Sequence, residues 1–113
     1  MSKKIQIKRL KGKSTVDYIF EKGVIAKSEN LLLKYVLEPN TGVYRSGVSV
    51  AKKRFKKAID RNHIKRYLRL AIAHLNEKDL FEGSGMLVYK GGKNPSLSQL
   101  NLEVYVLFDS LKN

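Results

Sequence analysis

The chain has 113 residues, a length that suits one domain better than two. It holds 23 lysines and arginines against 10 acidic residues, a formal net charge of +13, and no cysteine. That excludes a disulfide framework, a thiolate metal site and a cysteine nucleophile, and it asks for an anionic partner, nucleic acid before an anionic membrane surface.

Residues 1–13 contain six basic residues and no acid, and read as a basic N-terminal arm. The apolar run of a secretory signal is absent, and runs such as Leu31–Leu33 are too short to cross a bilayer. A cytoplasmic protein with no membrane partner is expected. Residues 14–113 read as a single domain. Ser14, with Asp17 three residues on, predicts a helix start; Val16, Ile19 and Phe20 share a face, and Gly23 supplies the stop.

A short strand is expected at 24–27. Strict alternation over Leu31, Leu33, Tyr35 and Leu37, and again over Tyr44, Ser46, Val48 and Val50, predicts two more. The turn residues Pro39, Asn40, Thr41 and Gly42 between them suggest an antiparallel pair. From about residue 55 to 74 the period becomes helical, with Ile64, Leu68, Ala71, Ile72 and Leu75 as the buried stripe. "SGMLVYKGG" follows as a strand. The last segment fits a helix through Leu97, Leu100, Val104 and Leu107, with Ser96 and Gln99 as its capping pair, although Leu102, Val104, Val106 and Phe108 also alternate. The order helix, strands, helix, strand, helix implies an α+β fold, a sheet of about four strands with helices packed on one face.

The functional signal is "KKRFKKAIDRNHIKRYLR", residues 52–69, with nine basic residues and Asp60 as the one acid. At 100° per residue Arg61, Lys65 and Arg69 line up beside the core stripe, and Asn62 and Arg66 extend them outward. Solvated helix faces usually mix charge signs; this one does not. Arginine forks, lysine point charges and an asparagine suit phosphates and 2′-hydroxyls. Arg61, Asn62, Lys65, Arg66 and Arg69 are therefore candidate nucleic-acid-binding residues; Lys52, Lys53 and Arg54 just before the helix, and His63 on its opposite flank, complete the candidate RNA-binding set. Asp60 suits the positive end of the helix dipole. His63 and His74 lack the partners of a zinc site or a general base, so neither a metal site nor a catalytic residue is assigned to the chain. Phe20, Tyr35, Tyr44, Tyr67 and Tyr89 are candidates for stacking on unpaired bases. A duplex-DNA helix-turn-helix lacks its first compact helix.

"RNHIKR", preceded by "SGVSVAKKRFKKAIDRN" and with "RLKGKSTVDYIFEKG" near the start, resembles the bacterial ribonuclease P protein component over most of the chain. The resemblance implies a protein subunit that assists a catalytic RNA in removing the 5′ leader of precursor tRNA, with magnesium held mainly by the RNA. It implies binding of the catalytic RNA through the basic helix and of the single-stranded leader in a cleft at Val16, Phe20 and Tyr35. It further implies a left-handed βαβ crossover and a monomeric protein when alone. His63 stands in place of the usual second arginine, and Val16 where many members carry an aromatic. The competing reading is a ribosomal or RNA-chaperone-type protein without a catalytic link.

Overall fold

A computed structural model describes residues 5–112. In chain order it contains β1 (Gln6–Arg9), α1 (Lys13–Lys22), β2 (Val24–Lys27), β3 (Leu31–Leu37), β4 (Val43–Val50), α2 (Ala58–Ala73), β5 (Gly83–Tyr89) and α3 (Leu97–Asp109). Short 3-10 turns lie at Glu77–Asp79 and Ser110–Lys112. The strands form one mixed sheet in the order β1-β4-β5-β3-β2.

The alternating segments became strands, but β3 and β4 do not pair with each other. β5 lies between them, antiparallel to β3 and parallel to β4. The reason lies in β5 itself, where all but Val88 of the seven residues are buried. A strand apolar on both faces belongs in the centre of a sheet, where both edges and both faces are covered. The turn at 38–42 therefore strides across the start of β5, tied to it by Glu38 N–H donating to the Glu82 carbonyl at 3.0 Å and Gly42 N–H donating to the Glu82 carboxylate at 2.9 Å. Gly83 is indispensable there: it sits at φ +150°, and a Cβ on it would lie 2.1 Å from the Val36 carbonyl oxygen.

β1 is the fifth strand, unforeseen within the basic arm. Its alternation is short and its side chains are all exposed, so no apolar period announces it. It exists because β4 offers an edge: Gln6 to Arg9 pair in parallel with Val43 to Ser46. Residues 1–4 of the expected arm lie outside the described residues. α1 starts at Lys13 after Gly12, without a side-chain cap, so the Ser14 and Asp17 box is not formed. α2 starts three residues later than the periodicity suggested. Phe55 precedes it and packs against Tyr89, with ring centres 6.0 Å apart.

The helices occupy both faces rather than one. α2 and α3 cover the face carrying Leu31, Leu33, Tyr44, Leu87 and Tyr89, which is the main core. α1 covers the other, where Ile19 meets Leu10 and Met86. The cross-strand partners Leu33 and Leu87 point one way, Lys34 and Met86 the other. α3 resolves its helix-or-strand ambiguity as a helix, and the Ser96 hydroxyl accepts from Gln99 N–H at 3.1 Å as its cap requires. Glu103 on α3 then locks the β2–β3 turn by accepting from Ser28 Oγ, from Asn30 N–H at 2.8 Å and from Asn30 Nδ2 at 3.1 Å.

Candidate nucleic-acid interface

α2 buries Ile64, Leu68, Ala71 and Ile72, which fixes what its other faces can do. Asn62, Arg66 and Arg69 are exposed and Lys65 is half-buried beside them, so these four form the outward cationic face. Asp60 lies in the first turn, as its charge suggests. Arg61 differs. Its Nη1 donates at 2.8 Å to the carbonyls of both Phe55 and Lys56, so part of its guanidinium fastens the connection that leads into the helix. His63 also leaves the stripe: it stands about 120° around the helix from Arg69. Its ring packs 4.4 Å from that of Tyr67. Lys52, Lys53 and Arg54 are exposed in the turn after β4, with Arg54 Nη1 lying over Gly92 beyond the end of β5.

The three expected cleft residues are not brought together. Val16 and Phe20 lie on α1, beneath one face of the sheet, while Tyr35 points to the other face and packs on Phe81 at 5.3 Å. Neighbouring residues of a strand face opposite ways, so the residue that shares the α1 side is Lys34. Its ammonium lies 5.3 Å from the centre of the Phe20 ring and donates to the Phe20 carbonyl at 2.9 Å. Phe20 keeps 38% of its surface exposed, enough to stack. Tyr44 and Tyr89 are buried and unavailable for bases, and Tyr67 is partly buried against the main core.

Val16 and Arg69 do share a site. Both line a cavity of about 160 Å³ at the β4 edge, with Gly47, Val48 and Met86 as its floor. β1 covers β4 only as far as Ser46, which leaves this edge open between α1 and α2. Arg9 borders the same cavity and a second, of about 210 Å³, that reaches Ile72 on α2. The sequence hid Arg9 in the arm and Lys34 behind its neighbour Tyr35.

Among the described residues no three histidine, aspartate or glutamate side chains gather as metal ligands. No helix among them is long and apolar enough to cross a membrane. What the arrangement can do is grip a polyanion along α2 and hold unpaired bases beside it on the α1 side of the sheet.

Residues 6–112 match the family model described as Ribonuclease P. The chain belongs to the ribonuclease P protein family. It is 38% identical over 68 residues to the ribonuclease P protein component of Legionella pneumophila, a match that spans 60% of this chain and 59% of that one. The corresponding protein of Brevibacillus brevis is 28% identical over 95 residues, covering 84% of this chain and 71% of that one. The solved ribonuclease P protein of Thermotoga maritima superposes with a TM-score of 0.78 at 18% identity, covering 94% of this chain and 99% of that chain, a likeness of fold. The family match begins at residue 6, the first residue of β1.

Proposed function

We propose that the chain is the protein subunit of ribonuclease P, acting with a catalytic RNA to remove the 5′ leader of precursor tRNA. The outward face of α2, with Asn62, Lys65, Arg66 and Arg69, binds the RNA subunit. Phe20, Lys34 and Val16 line the surface that holds the single-stranded leader. The protein supplies binding and positioning. Phosphodiester hydrolysis belongs to the RNA, with magnesium on that side of the assembly. The observation that carries this reading is the family match over residues 6–112, joined to an outward helix face of four cationic or amide side chains.

The test mixes RNA-free protein with a bacterial catalytic RNA and labelled precursor tRNA at low magnesium. Leader removal is expected only when protein and RNA are both present. Tight RNA binding without any stimulation would instead favour a structural or chaperone-type RNA-binding protein.

A further inference from the structure

Ile19 anchors α1 to the sheet, and the helix presents a different flank on each side of it. Val16 and Phe20 lie on one flank, Thr15 and Tyr18 on the other, by the 100° step of the helix. The second flank borders a separate cavity of about 530 Å³, walled by Arg9, Lys11, Tyr18, Glu38, Arg45 and Ser84 among others. Its volume falls within the ~300–1,000 Å³ range of small-ligand sites.

Its lining has a nucleotide's complement of groups. Tyr18 leaves 54% of its surface exposed, a platform on which a base can stack. Arg9 and Lys11 are exposed cations at the rim. Glu38 is held in position from two sides, accepting from the Ser84 hydroxyl at 2.9 Å and facing the Arg45 guanidinium at 4.0 Å. A patch built only to attract phosphate would gain nothing from a carboxylate there. A carboxylate does accept hydrogen bonds from the exocyclic amine of a base.

Arg9 also borders the two cavities that contain Arg69 of α2. The three cavities are therefore joined through one arginine, around the edge of the sheet. We infer that single-stranded RNA on this protein runs on from the cationic face of α2, across Arg9, into the Tyr18 cavity, which takes one unpaired, amino-bearing nucleotide. The inference rests on the reading of α2 as an RNA-binding face.

The test measures binding of the full chain to fluorescein-labelled oligocytidylate and oligouridylate of about 15 nucleotides, long enough to span such a path, across a salt series. Wild type is expected to prefer oligocytidylate, and Tyr18→Leu to weaken that binding by about fivefold or more. The double change Arg9→Ala with Lys11→Ala should make the slope of log K against log salt shallower by about 1.4, for two phosphates on a single strand. Glu38→Gln should erase the cytosine preference; a simple cationic patch would respond by binding both oligomers more tightly. Arg9, Lys11 and Tyr18 are exposed, so these changes open no core. If Arg66→Ala weakens binding while the Tyr18 and Arg9–Lys11 variants match wild type, the cavity inference falls and the α2 reading stands. If Arg66→Ala changes nothing, the α2 reading falls and the continuous path falls with it.

Discussion

Lys34 of β3 holds its ammonium 5.3 Å from the centre of the Phe20 ring while donating to the Phe20 carbonyl at 2.9 Å. The pair fixes an aromatic ring and a cation side by side on the α1 side of the sheet, the combination that suits a stacked base and its phosphate.

This pair should set leader recognition. Phe20→Leu is expected to lower the ratio of affinities for leadered over leaderless precursor by about fivefold or more, the value of one lost stacking contact. Lys34→Gln should lower the same ratio. Tyr35→Leu should leave the ratio unchanged and reduce thermal stability, because Tyr35 packs on Phe81 under α3. Equal loss of the ratio in Tyr35→Leu and Phe20→Leu would place the leader on the wrong face here.

Two arginines five residues apart should separate cleanly. Arg61 donates to two carbonyls, so Arg61→Ala is expected to cost about 1–3 kcal/mol in urea unfolding. Arg66 is exposed and makes no such bonds among the described residues, so Arg66→Ala should change stability by less than about 0.5 kcal/mol. Its effect should appear in RNA binding, with a salt slope shallower by roughly 0.7–0.9 for one lost phosphate contact.

Acid should loosen the lock between α3 and the β2–β3 turn. Burial alone would raise the Glu103 carboxyl, but the Ser28 hydroxyl, the two Asn30 donors and the charge of Lys90 outweigh it and hold its pKa below the ordinary value. A carboxyl depressed in the fold contributes its stability above its unfolded pKa of about 4.3 and loses it as pH falls through the lower folded value. Melting temperatures measured from pH 7 down to pH 3 should drop below about pH 4 more steeply in wild type than in Glu103→Gln, which has no such proton to take up. Parallel curves would mean that the carboxylate contributes nothing through its charge.

Tyr44 should tolerate loss of its hydroxyl. Its ring sits edge-on to Phe81 and Phe108, and its Oη is buried without a well-formed hydrogen bond among the described residues. Burial pushes its ionisation well above the usual tyrosine range, and the Ser46 side chain, close enough to hydrogen-bond, opposes that rise in part. The hydroxyl passes so close over β5 that a Cβ on Gly85 would lie 2.7 Å from it. Tyr44→Phe is therefore expected to be neutral or to stabilise by about 1 kcal/mol in urea unfolding, since it removes an unpaired buried polar group. A clear fall in stability would mean that the hydroxyl is effectively paired, with Ser46 as the first candidate partner.

Most element types were readable in the sequence because periodicity reports burial directly. The stripe through Ile64, Leu68, Ala71 and Ile72 and the alternation through Leu31 and Leu33 each name a buried face. What periodicity does not report is which strand lies beside which. Turn chemistry at 39–42 suggested a hairpin, yet the doubly buried β5 claimed the place between its arms. The site was half readable for the same reason. Charge density located α2, but the division of β3 between Lys34 and Tyr35, and the use of Arg61 as an internal tie, depend on side-chain direction across the assembled sheet. β1 has four exposed side chains and is a strand only through its partner, so no local signal carried it.

The central position of β5 also orders events in time. β3 and β4 are complete by residue 50, but neither can join the other until residues 83–89 arrive between them. On a ribosome β2 can pair with β3 and β1 with β4 early, but the chain must emerge almost to its last helix before the inner edges of β3 and β4 are satisfied. Sheet closure then waits on contacts distant in sequence, which slows folding and leaves open edges exposed for longer than a local hairpin would. A chain cut short within α2 would carry the basic helix face without the sheet beneath it. Its failure would be one of folding, with strands left to pair with other molecules, before it was ever one of RNA binding.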